Sequence, residues 1–157
     1  MKYPMTMKGA ENLKKELFYL KNIKRSEIIK LISSARKYGD LKENAEYHAA
    51  KEEQTFCEKR IKYIEKKLSN AEIIDIRKII HNGKVVFGST ILIENIKSKI
   101  RSRYCIVGED EADYKKNLIS IFSPLARGLI GHKKKEVVTI TVPNGIVKYK
   151  IIDINYI

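Results

Sequence analysis

Between Thr6 and Asp75 the chain contains no proline and only two glycines, Gly9 and Gly39. A stretch this long without helix breakers, rich in Lys and Glu, is predicted to be helical. Its apolar residues agree. Leu13, Leu17, Leu20, Ile28, Leu31, Ala35 and Tyr38 follow steps of 4, 3, 8, 3, 4 and 3, a heptad seam interrupted once near Lys24. Beyond Gly39 the pattern resumes with Ala45, Ala49, Phe56 and Tyr63, accompanied by Cys57, Ile61, Ile64 and Leu68. Two helices of about 30 residues, each about 45 Å long, joined at Gly39–Asp40, form an antiparallel hairpin. Phe56 and Tyr63 are expected to pack in it. Thr6 fits the N-cap of the first helix, because Pro4 cannot sit comfortably in a helix interior.

From Lys84 the period changes to two. The β-branched runs Lys84–Phe87, Thr90–Glu94, Arg103–Val107, Leu118–Ile121, Val137–Val142 and Ile146–Ile154 predict strands, the last two joined by a turn at Pro143-Asn144-Gly145. Ser123-Pro124, with Gly131 beyond, marks a short helix. The expected fold class is therefore α+β. The domains are a hairpin over residues 1–76, a linker at 77–83 containing Asn82-Gly83, and a small, mostly antiparallel sheet with one helix over 84–157.

The chain carries 32 Lys plus Arg against 19 Asp plus Glu, a formal charge of +13. Such a balance suggests a polyanionic partner. Yet Lys is favoured over Arg and Ile over Leu throughout, a pattern that codon bias toward A and T also produces. No apolar run approaches the roughly 20 residues of a membrane span, and no signal-peptide core follows Met1–Thr6, so a soluble, cytoplasmic protein is expected. Cys57 and Cys105 cannot build a disulfide framework or a closed zinc site; reduced thiols are expected.

The segment Gly39-Asp40-Leu41-Lys42-Glu43-Asn44-Ala45-Glu46-Tyr47 falls at the tip of the hairpin. Asp40 and Glu43 stand three apart where the second helix should begin. Two readings compete. Asp-x-x-Glu at a helix start is a capping box, in which each acid satisfies an orphan backbone amide. Alternatively, the pair is a carboxylate display at the end of a rod. Carboxylates are hard ligands suited to Mg²⁺, but two cannot complete an octahedral shell. A tip like this would complete a partner's metal site rather than hold a metal alone. Leu41 adds an apolar residue that capping does not need.

These nine residues, with Leu68-Ser69-Asn70-Ala71, Phe87-Gly88, Gly108-Glu109-Asp110-Glu111-Ala112-Asp113 and Ser123-Pro124-Leu125-Ala126-Arg127-Gly128-Leu129-Ile130-Gly131, resemble the bacterial Gre transcript-cleavage factors. The resemblance runs from Pro4 to the C-terminus. It implies an N-terminal coiled coil that enters the secondary channel of bacterial RNA polymerase, and an FKBP-like domain that docks at the channel rim. It implies that Asp40 and Glu43 are the catalytic acids, helping to hold a Mg²⁺ shared with the polymerase active site so that backtracked RNA is cut near its 3′ end. On this view the chain is no enzyme itself, has no cofactor of its own, and works as a monomer. Arg36 and Lys51 match positions that steer the RNA 3′ end, although family members often carry Arg where Lys51 stands, and Lys offers a point charge rather than a fork. Either cation is equally an ordinary solvated one. Ser123 and Pro124 match the polymerase-contacting loop, with Phe122 in place of the usual polar residue; Ser-Pro is equally a helix start.

Two further function classes stay in view. One is a channel-occupying regulator that competes for polymerase without stimulating cleavage. The other is a prolyl isomerase, for which the C-terminal aromatics Phe87, Tyr104, Tyr114, Phe122, Tyr149 and Tyr156 are too dispersed. His48, His81 and His132 show no ligand spacing. With the chemistry assigned to an acidic tip, tight binding to free DNA or RNA is not expected.

Overall fold

The computed structural model describes residues 2–39 and 44–157. By internal contacts the chain divides into two units, one formed by Ala10–Ala71 and one by Lys2–Gly9 with Glu72–Ile157. The N-terminal residues thus pack with the sheet, and Asn82-Gly83, expected in the linker, forms a left-handed turn within the second unit (φ +51° and +76°).

The first unit is the helical hairpin. Its outgoing arm is α1 (Met7–Tyr19), a π-helical segment (Leu20–Lys24) and α2 (Arg25–Arg36). The returning arm is α3 (Ala45–Ser69), 25 residues or about 37 Å long. The π segment lies where the heptad seam is interrupted. The step from Leu20 to Ile28 is one residue longer than a heptad, and a π turn, closed here by the Arg25 N–H donating to the Leu20 carbonyl, absorbs the surplus. Both halves of the outgoing arm therefore keep their apolar side toward α3.

Ile28, Cys57 and Ile61 form the buried seam, with Leu17, Leu20 and Ile32 packed against them. This corrects the expected pattern on both arms. Ile32 packs where Leu31 was expected, Leu31 and Tyr38 are exposed, and Ala45, Ala49 and Phe56 of the expected second-arm row are exposed, Phe56 at 75%, so that Cys57, Ile61 and Ile64 beside that row carry the seam. Tyr63 is 40% exposed and serves as a platform for cations, with the Arg60 guanidinium 5.4 Å and the Lys67 ammonium 5.6 Å from its ring centre. Two helices bury only one seam, so apolar residues beside it stay in water.

Charge flanks the seam on both sides. Arg25 donates to both carboxylate oxygens of Glu58 (2.8 and 3.0 Å), and Arg60 does the same to Glu16 (2.6 and 2.9 Å). Lys21 pairs with Glu65 at 3.3 Å and Lys24 with Glu53 at 3.9 Å. The Arg partners hold Glu58 and Glu16 below the usual carboxylate range.

In the second unit β1 (Tyr3–Thr6) pairs with β2 (Ala71–Ile74), a small sheet absent from the sequence expectation. The main sheet holds β3 (Thr90–Asn95), β4 (Arg101–Val107), β5 (Leu118–Ser120), β6 (Val137–Val142) and β7 (Gly145–Asn155) in the order β5-β4-β3-β7-β6. Only β4 and β5 run parallel. Residues 84–87 are not a strand. Lys84 makes one bridge to Lys133, and the chain then turns at Gly88 (φ +86°), sending Val85 and Phe87 into the core. Ile91, Ile93, Ile106, Ile119, Val138, Ile140 and Ile151 line the inner face, covered by Ala126 and Leu129 of α4 (Pro124–Leu129). Val142 and Gly145 close the β6–β7 ladder around Pro143-Asn144, with Gly145 at φ +133°.

Thr6 caps α1 as expected, its Oγ1 accepting from the Gly9 N–H at 3.0 Å. Glu111 completes the arrangement. Its carboxylate accepts from the Thr6 N–H and the Gly108 N–H, each at 3.0 Å, and from the Thr6 hydroxyl. A β-carbon at Gly9 would overlap this carboxylate. Both cysteines are free, and burial raises the pKa of each thiol.

Candidate functional site at the hairpin tip

Asp40, Leu41, Lys42 and Glu43 lie outside the described residues, so the tip is defined by what brackets it. On one side α2 ends at Arg36, where the Lys37 and Tyr38 N–H groups donate back to Ser34 and Ala35. On the other, α3 begins at Ala45 with Asn44 as its N-cap.

Asn44 ties the two arms together. Its Oδ1 accepts from the Tyr47 N–H at 3.1 Å, and its Nδ2 donates to the Ala35 carbonyl at 2.6 Å. One side chain thereby satisfies an orphan donor at the start of α3 and a carbonyl in the last turn of α2. Ala35 and Ala50 are buried, consistent with close approach of the arms at small residues. Asn44 was not singled out from the sequence. The signal was there, since Asn is among the strongest N-cap formers, but Asp40 with Glu43 offered a competing box four residues earlier. With Asn44 at the cap of α3, that capping reading does not account for the two acids.

Arg36 is exposed at the end of α2, and Lys51 is exposed in the second turn of α3, its ammonium 3.4 Å from the Gln54 side-chain oxygen. Glu46 and His48 are exposed, with His48 edge-on to Tyr47 at 5.6 Å. Among the described residues no group of three or more His, Cys, Asp and Glu gathers as a metal site.

Ser123 and Pro124 belong to the other unit. Ser123 caps α4, its Oγ accepting from the Ala126 N–H at 3.2 Å and donating to the Ser120 carbonyl at 2.7 Å, with Pro124 in the first turn. The helix-start reading of this pair therefore holds. Pro124 and Phe122 remain exposed beside it. The Glu109–Asp113 loop is accounted for by the Glu111 contacts at the base of α1.

Two family models together span nearly the whole chain. The N-terminal model of the transcription elongation factors matches residues 3–73, and the GreA/GreB C-terminal model matches residues 80–156. The chain belongs to the GreA/GreB family of transcription elongation factors. Within it the chain is of the bacterial GreA type. It is 65% identical to the transcription elongation factor GreA of Wigglesworthia glossinidia brevipalpis over 154 residues, covering 98% of both chains. It is 57% identical to the Haemophilus influenzae factor of the same name, again over 98% of both. Among solved structures it is similar to GreA factor homolog 1 of Thermus thermophilus, with 26% identity, 99% of both chains covered and a TM-score of 0.44. No helix among the described residues is long and apolar enough to cross a membrane.

Proposed function

We propose that this elongation factor binds bacterial RNA polymerase, enters the secondary channel with its hairpin, and stimulates the polymerase's own cleavage of backtracked RNA near the 3′ end. Asp40 and Glu43 are the residues that act. The observation that carries this reading is the side chain of Asn44. It takes the N-cap of α3, the role that the capping reading gave to Asp40. The paired arms behind the tip supply the reach, and the family membership supplies the polymerase.

The chemistry follows from the donor types. Bound Mg²⁺ in a two-metal site activates water and steadies the leaving oxygen. Asp40 and Glu43 are hard oxygen donors suited to that ion, and two of them leave most of its shell to water and the polymerase. The chain thus contributes ligands and is not an enzyme by itself. Arg36 and Lys51, exposed on either side of the tip, would hold the RNA 3′ end by charge. Ser123 and Pro124 would meet the channel rim. The factor would act as a monomer in the cytoplasm.

A reconstituted, backtracked polymerase complex tests this directly. Asp40→Asn with Glu43→Gln should abolish factor-dependent RNA cleavage while affinity for polymerase changes less than about threefold. Full cleavage by the double variant would sink the mechanism.

A further inference from the structure

The main sheet has two edges, and they are finished differently. At one end β5 is three residues long, and the turn before it closes its start. There the Asp113 N–H donates to the Leu118 carbonyl at 2.9 Å and the Leu118 N–H to the Asp113 carbonyl at 3.0 Å. At the other end β6 runs for six residues, Val137–Val142, in unbroken register with β7. Edge strands are normally blunted by a charge, a proline, a bulge or a short length, because their unpaired backbone groups invite another strand. Strand β6 has none of these; it reads Val-Val-Thr-Ile-Thr-Val.

The register fixes which backbone groups face out. The two-residue turn at Pro143-Asn144 is closed by Val142 and Gly145, a hydrogen-bonded pair, so Ile140 and Val138, at alternate positions back from it, also bond to β7. Val137, Thr139 and Thr141 therefore direct their N–H and C=O groups away from β7. Lys148, opposite Thr139, agrees with this: its carbonyl accepts from the Ile96 N–H at 3.1 Å, on the side away from β6. Among the described residues nothing bonds the Val137, Thr139 or Thr141 backbone along the open edge. Donors and acceptors thus stand in a row, repeating about every 7 Å.

The side chains define what can pair there. Val138 and Ile140 are buried in the core, so a strand laid beside β6 continues that inner face with apolar residues. On the outer face Val137 and Thr139 are exposed and lie opposite Lys150 and Lys148 of β7. Both lysines are exposed, and neither enters an ion pair among the described residues. Lys133 and Lys135, also exposed, precede the strand, and Lys134 pairs with Asp153 at 3.5 Å. Glu136 is taken up by His132 Nδ1 at 3.0 Å and by the Lys133 N–H at 2.6 Å. The outer face at this edge is positive, so the outward residues of an incoming strand are best acidic. A second copy of β6 brings no acid, and brings it on a chain of formal charge +13.

We propose that β6 is a docking edge for an extended protein segment of alternating apolar and acidic residues, which adds to the five-stranded sheet as a further antiparallel strand. Backbone hydrogen bonds to Val137, Thr139 and Thr141 hold the segment. Lys148 and Lys150 select its acidic face. The hairpin tip takes no part.

Amide exchange in the full chain, with a synthetic heptapeptide of alternating Val and Glu blocked at both ends, tests it. At saturating peptide the Thr139 and Thr141 amides should exchange at least about tenfold more slowly, the effect of about one net hydrogen bond. The Glu residues of the peptide share the outward face with Thr139, so their N–H groups point at β6 and those of the Val residues point away. N-methylation at the Glu residues should therefore abolish the protection, and N-methylation at the Val residues should leave it, with the protein unchanged in both cases. Thr139→Pro, whose missing N–H belongs to no ladder bond, should weaken peptide binding about tenfold, and Thr139→Ala less than about threefold. Lys148→Glu with Lys150→Glu should reverse the preference toward a Val–Lys peptide. Equal binding of the two N-methylated peptides would overturn the proposal, as would equal binding of the Val–Lys peptide by the unaltered chain. The same protection arising without peptide as the chain is concentrated would also overturn it, assigning the edge to a second copy.

Discussion

The hairpin and the sheet unit are stabilised in different ways. The sheet buries eleven residues in one cluster, seven of them Ile or Val on facing strands. The hairpin has a smaller cluster of Ile28, Cys57 and Ile61, with Leu13, Ala35, Ala50 and Ile64 buried elsewhere along the arms, and its flanks are held by bidentate Arg–carboxylate pairs. A layered core resists the loss of any one side chain poorly, because its neighbours cannot collapse into the gap. A two-helix seam open to solvent on both sides relaxes more easily. The hairpin thus has length and surface where the sheet has depth.

The largest expected effect tests that contrast. Ile93→Ala in the sheet should cost about 4 kcal/mol, near the upper part of the range for large-to-small core changes, and Ile61→Ala in the hairpin about 2 kcal/mol. Urea unfolding, followed by hydrogen exchange in each unit, measures both; equal costs would show that the seam is packed as rigidly as the sheet core. Next in size is Asn44→Ala. Loss of the cap and of the bond to Ala35 should cost about 1–2 kcal/mol, with faster exchange confined to the adjoining turns of α2 and α3. A global change would mean that Asn44 does more than join the arms.

The smallest effect concerns the flanking pairs. Glu16 has its pKa lowered in the folded protein, chiefly by the hydrogen bond from Arg60. Its contribution is therefore fully present above the unfolded value and is lost as pH falls through the depressed folded value. Both side chains are more than a third exposed, so a double-mutant cycle on Glu16 and Arg60 should give only about 0.5 kcal/mol at neutral pH. That coupling should vanish in strong acid and shrink in high salt. A coupling that survives acid would assign the contact to packing rather than charge.

Much of this architecture was legible in the chain because it rests on local periodicity. The heptads, the interruption near Lys24, the later strands, the Thr6 cap and the Ser123-Pro124 helix start all leave signals within a few residues. Leu31 and Ile32 show where that runs out. Both are apolar and adjacent, and only the partner arm decides which faces inward. Likewise β1 and β2 are four residues each, one containing Pro4, and exist through pairing between distant segments. The 84–87 run has strand composition, but the backbone turns at Asn82, Gly83 and Gly88 leave it no ladder. At the tip the acids were evident as residue types, whereas the role of Asn44 depended on a carbonyl nine positions away.

The π segment carries a consequence for how this chain tolerates editing. Removing one residue from the middle of an ordinary helix rotates everything beyond it by about 100° and would turn the seam away from its partner. Between Leu20 and Lys24 the same excision would do the opposite. It would shorten the step from Leu20 to Ile28 to a regular heptad and let α1 and α2 fuse into one uninterrupted helix with the seam in phase. The molecule thus has a built-in site at which the loss of one residue is tolerated.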